Sequence, residues 1–212
     1  MGIKARRYAD ILAGAPEYVT GRQEEWKAFL ATAARNYKYP YYDQLMIYLQ
    51  RPEATACAEY DFWFDTMHRY VKRGAKGIAL VDNEGDSPRL RYVFDVADTG
   101  ARRNSRPVWL WQMKEEYRNP VMAALERAYG ISGENQSLEA QLEQVAGRLA
   151  ADYWLDYGRQ IRGIVADSFL EEYDEFNIGT VFRKAAQASI AYTLSVRCTE
   201  EGENLFEPED FR

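Results

Sequence analysis

Residues 71–81 of the chain are Val-Lys-Arg-Gly-Ala-Lys-Gly-Ile-Ala-Leu-Val, and residues 90–96 are Leu-Arg-Tyr-Val-Phe-Asp-Val. The first stretch begins with two glycines among basic residues, which is typical of a turn, and ends with the apolar run 78–81, which predicts a strand. In the second stretch Leu90, Tyr92, Phe94 and Val96 alternate with Arg91, Val93 and Asp95, as in a half-buried strand. The polar residues 83–88 predict the turn between them, so the two strands form an antiparallel hairpin.

Helices are predicted before this hairpin. Residues 4–14 form either a short helix or a loose arm. Thr20-Gly21-Arg22-Gln23 matches a capping box, in which the Thr hydroxyl and the Gln side chain satisfy the first backbone N–H groups of a helix. That helix continues to about Tyr37. A second helix, Tyr41–Gln50, ends at Arg51-Pro52, because a residue that precedes proline disfavours helical geometry.

The second half of the chain has helical spacing of its apolar residues. Asn119-Pro120 predicts the start of one helix, which ends at Gly130 to Gly133. Ser137 predicts the start of another, and 182–196 a last amphipathic helix. Residues 108–111 are apolar and form either a third strand or the start of the next helix. The fold class is therefore α+β, with helices and a small antiparallel sheet in the first half and helices in the second. A break near 112–118 predicts two domains, 1–113 and 114–212.

Composition indicates a soluble, intracellular chain. Apolar residues make up 47% and charged residues 28%, which argues against long disordered regions. Two cysteines, Cys57 and Cys198, do not make a disulfide scaffold. No apolar run approaches the roughly 20 residues that span a bilayer, and the basic N-terminus is not followed by an apolar signal core. We expect a reducing cytoplasm and no membrane partner.

Charge is distributed unevenly along the chain. Residues 1–113 carry 17 Lys and Arg against 14 Asp and Glu, a balance of +3. Residues 114–212 carry 10 against 19, a balance of −9. The acidic excess therefore belongs to the second half, and the first half can still present a basic face to a polyanion.

The parts of most catalytic sites are missing from the sequence. A single histidine, His68, excludes an HExxH zinc site, and neither a GxSxG elbow nor a GxxxxGK[ST] phosphate loop occurs. The carboxylates of 171–175 are the densest acidic run, and such a run is usually a solvated face rather than a metal or acid–base site. We therefore expect no enzyme activity, no metal and no cofactor.

The strongest functional signal in the sequence is a combination of basic and aromatic residues. A glycine-containing turn and a second loop provide cations for phosphates: Lys72, Arg73, Lys76, Arg102, Arg103 and Arg106. Three aromatic residues are candidates for stacking on bases: Tyr41, Tyr42 and Trp63. Rings beside a cationic groove are what sequence-tolerant binding of a single strand needs, at roughly 1–3 kcal/mol per stacked base.

The order of these motifs resembles the N-terminal domain of ArdC-type antirestriction proteins. The likeness covers roughly residues 20–112, through an aromatic-rich helix at 36–48, Trp63, a V-x-x-G-x-K-G turn at 71–77 and a V-F-x-V-x-x-T strand end at 93–99. It extends to the opening region of large helicase and methyltransferase proteins of conjugative elements. Asp43 stands where the family pattern often has Asn. The metalloprotease-like domain that usually follows, with its HExxH, does not occur in this sequence.

The resemblance implies single-stranded DNA binding and protection of incoming DNA from host restriction. We accordingly predict a non-catalytic accessory domain of a mobile genetic element, with single-stranded DNA as its partner. One alternative is a protein-binding inhibitor of a host defence nuclease, of the restriction or CRISPR type, whose acidic helical half mimics DNA. The other alternative is a nuclease that uses carboxylates and a metal.

Overall fold

The computed structural model describes residues 3–82, 87–166, 168, 170–199, 202–204 and 206–211. It confirms the α+β fold class, with helices and a small antiparallel sheet in the first half and a helical second half. The chain divides into two compact units, Met1–Trp111 (unit 1) and Gln112–Arg212 (unit 2). No helix in the described part of the chain is both long and apolar enough to cross a membrane.

Three helices begin unit 1: α1 (Ile3–Thr20), α2 (Gln23–Arg35) and α3 (Tyr41–Gln50). The first is longer than the predicted 4–14 and contains Pro16. The capping box is wrong, because Arg22 is the residue that precedes α2 and makes no side-chain cap. The Thr20 hydroxyl instead donates to the Pro16 carbonyl oxygen at 2.9 Å, within the last turn of α1.

The sheet has three antiparallel strands in the order β1–β4–β3: β1 (Cys57–Glu59), β3 (Ile78–Asp82) and β4 (Arg89–Asp95). The predicted hairpin is β3–β4, with Ile78 opposite Val93 and Asp82 opposite Arg89. Most of its predicted turn, residues 83–86, lies outside the described residues. The third strand is β1, whereas residues 108–111 belong to no strand or helix.

The residues of β4 that face the core are not the ones that the alternation of apolar residues in the sequence predicts. Val93 and Asp95 are buried, whereas Tyr92 is exposed and Leu90 and Phe94 are half-buried. The reason is Asp95, whose carboxylate accepts hydrogen bonds from the backbone N–H groups of Thr55, Ala56 and Ala97 at 2.7–2.9 Å. Since side chains alternate along a strand, an inward Asp95 also places Val93 inward.

Buried polar side chains join the helices of unit 1 to the sheet. The Gln50 amide at the end of α3 bonds both backbone groups of Ala79, donating to its carbonyl oxygen at 2.8 Å and accepting from its N–H at 2.9 Å. Asn36, which follows α2, donates to the carbonyl oxygens of Thr32 and Ala54. These bonds satisfy backbone groups that burial would otherwise leave unpaired.

A separate two-stranded antiparallel ribbon is formed by β2 (Tyr70–Val71) and β5 (Thr99–Gly100). Tyr70 lies opposite Gly100, and Val71 lies opposite Thr99. Nothing in the sequence periodicity predicts these strands, because each has only two residues.

Unit 2 contains α4 (Glu115–Tyr129), α5 (Leu138–Ile164) and α6 (Glu175–Cys198). Helix α4 begins four residues before the predicted Asn119 and ends at Gly130, whose φ of 68° is the left-handed geometry that glycine adopts freely. Ser137 caps α5 as predicted, since its hydroxyl accepts from the Ala140 N–H. Helix α6 begins seven residues before the predicted 182, because Asp174 caps it by accepting from the Asn177 N–H at 2.8 Å.

Candidate nucleic-acid interface

The ribbon brings the two predicted basic segments to one region of unit 1. The 72–76 turn follows β2, and the Lys72 N–H donates to the Asp98 carbonyl oxygen at 2.8 Å. The 102–106 loop follows β5, and the Arg106 N–H donates to the Met67 carbonyl oxygen at 2.9 Å. In an antiparallel pair these segments leave from opposite ends, and a two-residue ribbon is only about 7 Å long. Segments 30 residues apart in sequence therefore become neighbours.

The 102–106 loop is held in a defined conformation. The Ser105 hydroxyl accepts from the Arg102 N–H and donates to the His68 carbonyl oxygen, both at 2.6 Å. Together with the bond from Arg106 to Met67, these contacts tie the loop to the chain just before β2. Because the loop backbone is already ordered, the protein loses less conformational entropy when a ligand binds the loop's side chains.

Three exposed aromatic rings surround one arginine beside the ribbon. Tyr60 and Phe64 are stacked, with ring centroids 5.9 Å apart and planes 11° from parallel. The Arg102 guanidinium carbon lies 5.2 Å from the Phe64 centroid and 5.8 Å from the Tyr70 centroid, within cation–π range. These rings remain open to solvent, with Tyr60 at 48%, Phe64 at 40% and Tyr70 at 42% exposure.

A π-helical turn, Phe62–Thr66, sets the positions of these rings. Its Trp63 is only 2% exposed, and the indole N–H donates to the Phe94 carbonyl oxygen at 2.8 Å. Both faces of the Trp63 ring are therefore covered by the core and cannot stack on a base. We remove Trp63 from the predicted stacking residues, and its role is to anchor the turn that carries Phe64.

The cations of this region are available for an anion. Lys72, Arg73, Lys76, Arg102, Arg103 and Arg106 are all exposed. Within the described residues, none of the six lies within salt-bridge distance of a carboxylate. The Lys72 ammonium donates to the Ala97 carbonyl oxygen at 2.8 Å, which orients it without neutralising it. We call these six residues, with Tyr60, Phe64, Arg69 and Tyr70, the ribbon surface.

Arg69 is a cation that the sequence analysis did not single out. Its Nε donates to the Thr99 hydroxyl at 2.7 Å, and its Nη2 lies 3.5 Å from the Thr99 carbonyl oxygen. The Thr99 hydroxyl in turn donates to the Val96 carbonyl oxygen at 2.8 Å. The guanidinium is thus held across the ribbon by neutral partners, and no carboxylate in the described part of the chain pairs with it. Tyr60, Phe64 and Tyr70 were also missed, although the aromatic density of 60–64 is visible in the sequence.

Tyr41 and Tyr42 belong to a different part of unit 1. Both are exposed at the start of α3, and their ring centroids lie 5.4 Å apart. Tyr41 also contacts Phe29 of α2, edge to face at 5.9 Å, and burial raises the pKa of its hydroxyl. The structure therefore places the two basic segments at the two ends of one short ribbon, and it places Tyr41 in the α2–α3 contact with Tyr42 beside it.

Buried and half-buried carboxylates of unit 1 have structural partners. Asp43 pairs with Arg91, and Asp98 pairs with Arg51. Burial raises the pKa of Asp43, and the Arg91 guanidinium partly offsets that rise. In the described part of the chain, no three His, Cys, Asp or Glu side chains come together as a group that could hold a metal. The exposed cations and rings of the ribbon surface can recognise an anion that carries planar apolar groups.

Comparison with protein-family models, with curated proteins and with solved structures finds no match to this chain. The resemblance to ArdC-type antirestriction proteins therefore stays a prediction that rests on the motifs themselves.

Proposed function

We propose that unit 1 binds single-stranded DNA at the ribbon surface and acts as a non-catalytic domain. The observation that carries the proposal is the convergence, at a two-stranded ribbon, of three exposed rings with seven cations that have no carboxylate partner among the described residues. The phosphates of the strand bind the cations, and its bases stack on the rings. Neither group alone would distinguish a nucleic acid from another anion or from an apolar ligand.

A single strand fits this surface better than a duplex. Stacking on Phe64 or Tyr60 requires a base whose face is open, and a duplex covers the faces of its bases with the neighbouring pairs. Electrostatic attraction to the 72–76 and 102–106 segments is common to both forms. The aromatic contribution should therefore set the preference for single strands.

The biological setting follows from the resemblance alone. A domain of the ArdC type would protect the DNA of a mobile genetic element while it enters a new host as a single strand. Coating the strand would hide it from host restriction enzymes, and this role needs binding without catalysis.

Charge reversal at the ribbon tests the proposal. The triple variant Lys72→Glu, Arg73→Glu, Lys76→Glu should bind a fluorescein-labelled oligothymidylate more weakly in an anisotropy titration. Each lost phosphate contact should also reduce the slope of log affinity against log salt by about 0.7. The matched control reverses three exposed cations of unit 2, Arg127, Arg159 and Lys184, and changes the net charge equally.

The two variants separate a site from general electrostatics. If both variants weaken binding equally, the protein attracts DNA only through its overall charge, and the ribbon is not the site. If the wild-type chain binds no oligonucleotide even at low salt, the proposal is wrong.

The acidic excess of residues 114–212 supports a second candidate, a DNA mimic that occupies the basic channel of a host nuclease. In unit 2 all of the carboxylates from 171 to 175 lie on exposed residues. A nuclease-inhibition assay distinguishes the two candidates. Inhibition that survives the Lys72, Arg73, Lys76 triple reversal but fails when unit 2 acids are replaced would favour the mimic.

A further inference from the structure

The segment that follows the 102–106 loop carries the most exposed aromatic residue among those the structure describes. Trp109 is 86% exposed, and its neighbours Leu110 and Trp111 are exposed as well. A tryptophan side chain contributes roughly 150–250 Å² of apolar surface when it is buried, so leaving one in water forgoes a large stabilisation. Single exposed apolar residues are ordinary, but three in succession mark a surface that meets a partner.

We propose that Trp109 is a further base-stacking residue, and that it extends the path of the DNA strand beyond the ribbon surface. This inference rests on the single-strand binding proposed above. It adds a binding residue outside the ribbon and predicts that affinity depends on the length of the strand.

The backbone places Trp109 within reach of the ribbon. Arg106 is fixed by the hydrogen bond from its N–H to the Met67 carbonyl oxygen, and residues 107–114 belong to no regular element. Pro107 favours extended geometry at the residue before it. Three residues of extended chain span at most about 10 Å, so Trp109 lies no further than that from the anchored Arg106.

Charge identifies the occupant of this segment as a polyanion. Residues 99–113 contain three arginines and no carboxylate, and Lys114 follows directly. An apolar groove of another protein would bury the tryptophan without requiring these cations. A single strand satisfies both features, because its phosphates meet the arginines and an unpaired base stacks on the ring.

The test compares Trp109→Ala with wild type on two labelled oligothymidylates, one of about four nucleotides and one of about twelve. The short strand fills the ribbon surface alone, so its affinity should be unchanged by the substitution. The long strand reaches Trp109, so its affinity should fall roughly fivefold to a hundredfold. Trp109→Phe keeps a ring for stacking and should recover most of the loss.

Tryptophan fluorescence gives a second readout that is independent of affinity. The chain has five tryptophans, of which Trp63 is buried and Trp26 and Trp154 are half-buried. The long strand should quench the wild-type emission, and the share of that quenching that Trp109 contributes should disappear in Trp109→Phe, while Trp111 remains as an exposed reporter. The matched control is Phe176→Ala, which removes a ring of comparable exposure from α6 and should leave both strands bound as in wild type.

The outcomes separate the two proposals. Wild-type affinity of Trp109→Ala for both strands, with unchanged quenching, overturns the role of Trp109 and leaves the ribbon site intact. Loss of self-association in Trp109→Ala, measured by sedimentation without DNA, assigns the residue to a second copy and also overturns it. Failure of wild type to bind either strand removes the single-strand proposal itself.

Discussion

The hydrogen bonds that Asp95 makes in unit 1 span far more of the sequence than the caps that begin the helices of unit 2. In unit 1 the decisive hydrogen bonds join residues far apart in sequence, such as Asp95 to the backbone of Thr55 and Ala56. In unit 2 the caps are local, and Asp174 bonds a backbone group only three residues away. Local contacts specify where helices begin, whereas only distant contacts can bring the 72–76 and 102–106 segments together. The candidate interface accordingly lies in unit 1.

The two cysteines provide a separate measure of stability for each unit. Cys57 lies in β1 and Cys198 is the last residue of α6. Burial raises the pKa of both thiols, to about 12 for Cys57, so both are alkylated slowly at neutral pH in the folded chain and faster once their unit unfolds. The denaturant concentration at which labelling of each cysteine accelerates, measured by mass spectrometry, therefore reports on its own unit.

Asp95→Ala should have the largest effect. Removing the carboxylate leaves three backbone N–H groups without their acceptor, which should cost unit 1 about 3 kcal/mol or more. The labelling midpoint of Cys57 should fall strongly, while that of Cys198 stays in place. Asp95→Asn retains one acceptor oxygen, so its Cys57 midpoint should lie between those of Asp95→Ala and wild type. A shift in the Cys57 midpoint below about 1 kcal/mol would contradict the long-range role of Asp95.

Gly100→Ala should have the second-largest effect on stability. A Cβ at this position would lie 2.3 Å from Cζ and 2.4 Å from Oη of Tyr70, so the ring must leave its place over β5. We expect unit 1 to lose about 1–3 kcal/mol, together with affinity for single-stranded DNA. In the double variant with Tyr70→Ala the clash is relieved, so stability should return but affinity should not. Recovery of both would show that the Tyr70 ring is not part of the interface.

Asp174→Ala should cost unit 2 about 1 kcal/mol, the usual value for a lost helix cap. The effect should be confined to the Cys198 midpoint. Asp156→Ala, at an exposed position inside α5, serves as the control and should lower neither midpoint, because it removes a carboxylate without removing a cap and alanine has the higher helix propensity. An equal shift in both variants would mean that charge, rather than the bond to the Asn177 N–H, is responsible.

Gly163→Ala should have the smallest effect, and its sign should be opposite. A Cβ at this position near the end of α5 would meet no atom within 4 Å, so alanine gains helix propensity without a clash. Unit 2 should become more stable by about 0.5 kcal/mol, because the full gain in a helix interior is about 1 kcal/mol. A loss of stability in this variant would indicate that residues pack closely against this end of the helix.

Much of unit 2 could be predicted from sequence because its signals are local. Ser137 and Gly130 begin and end helices through bonds within a turn, and both positions were predicted correctly. The predicted starts of α4 and α6 were wrong, because Asp174 and the acidic first turn of α4 precede the apolar residues on which those predictions rest.

The candidate interface was only partly predictable for the opposite reason. The basic side chains of 72–76 and 102–106 are visible in the sequence, but their proximity depends on the pairing of Tyr70 with Gly100. Two-residue strands have no periodicity to detect. Trp63 and Phe64 are neighbours with the same aromatic character, yet the first is buried and the second is exposed.

The sequence by itself determined the fold class, the β3–β4 hairpin, two helix boundaries of unit 2 and the charge of each half. These features depend on backbone periodicity and on bonds between neighbouring residues, which a linear pattern contains. Only the tertiary structure decided which rings face solvent, which side of β4 is buried and which cations lack a carboxylate partner. Those properties are set by residues 30 or more positions away, and the geometry of the folded chain alone brings them into contact.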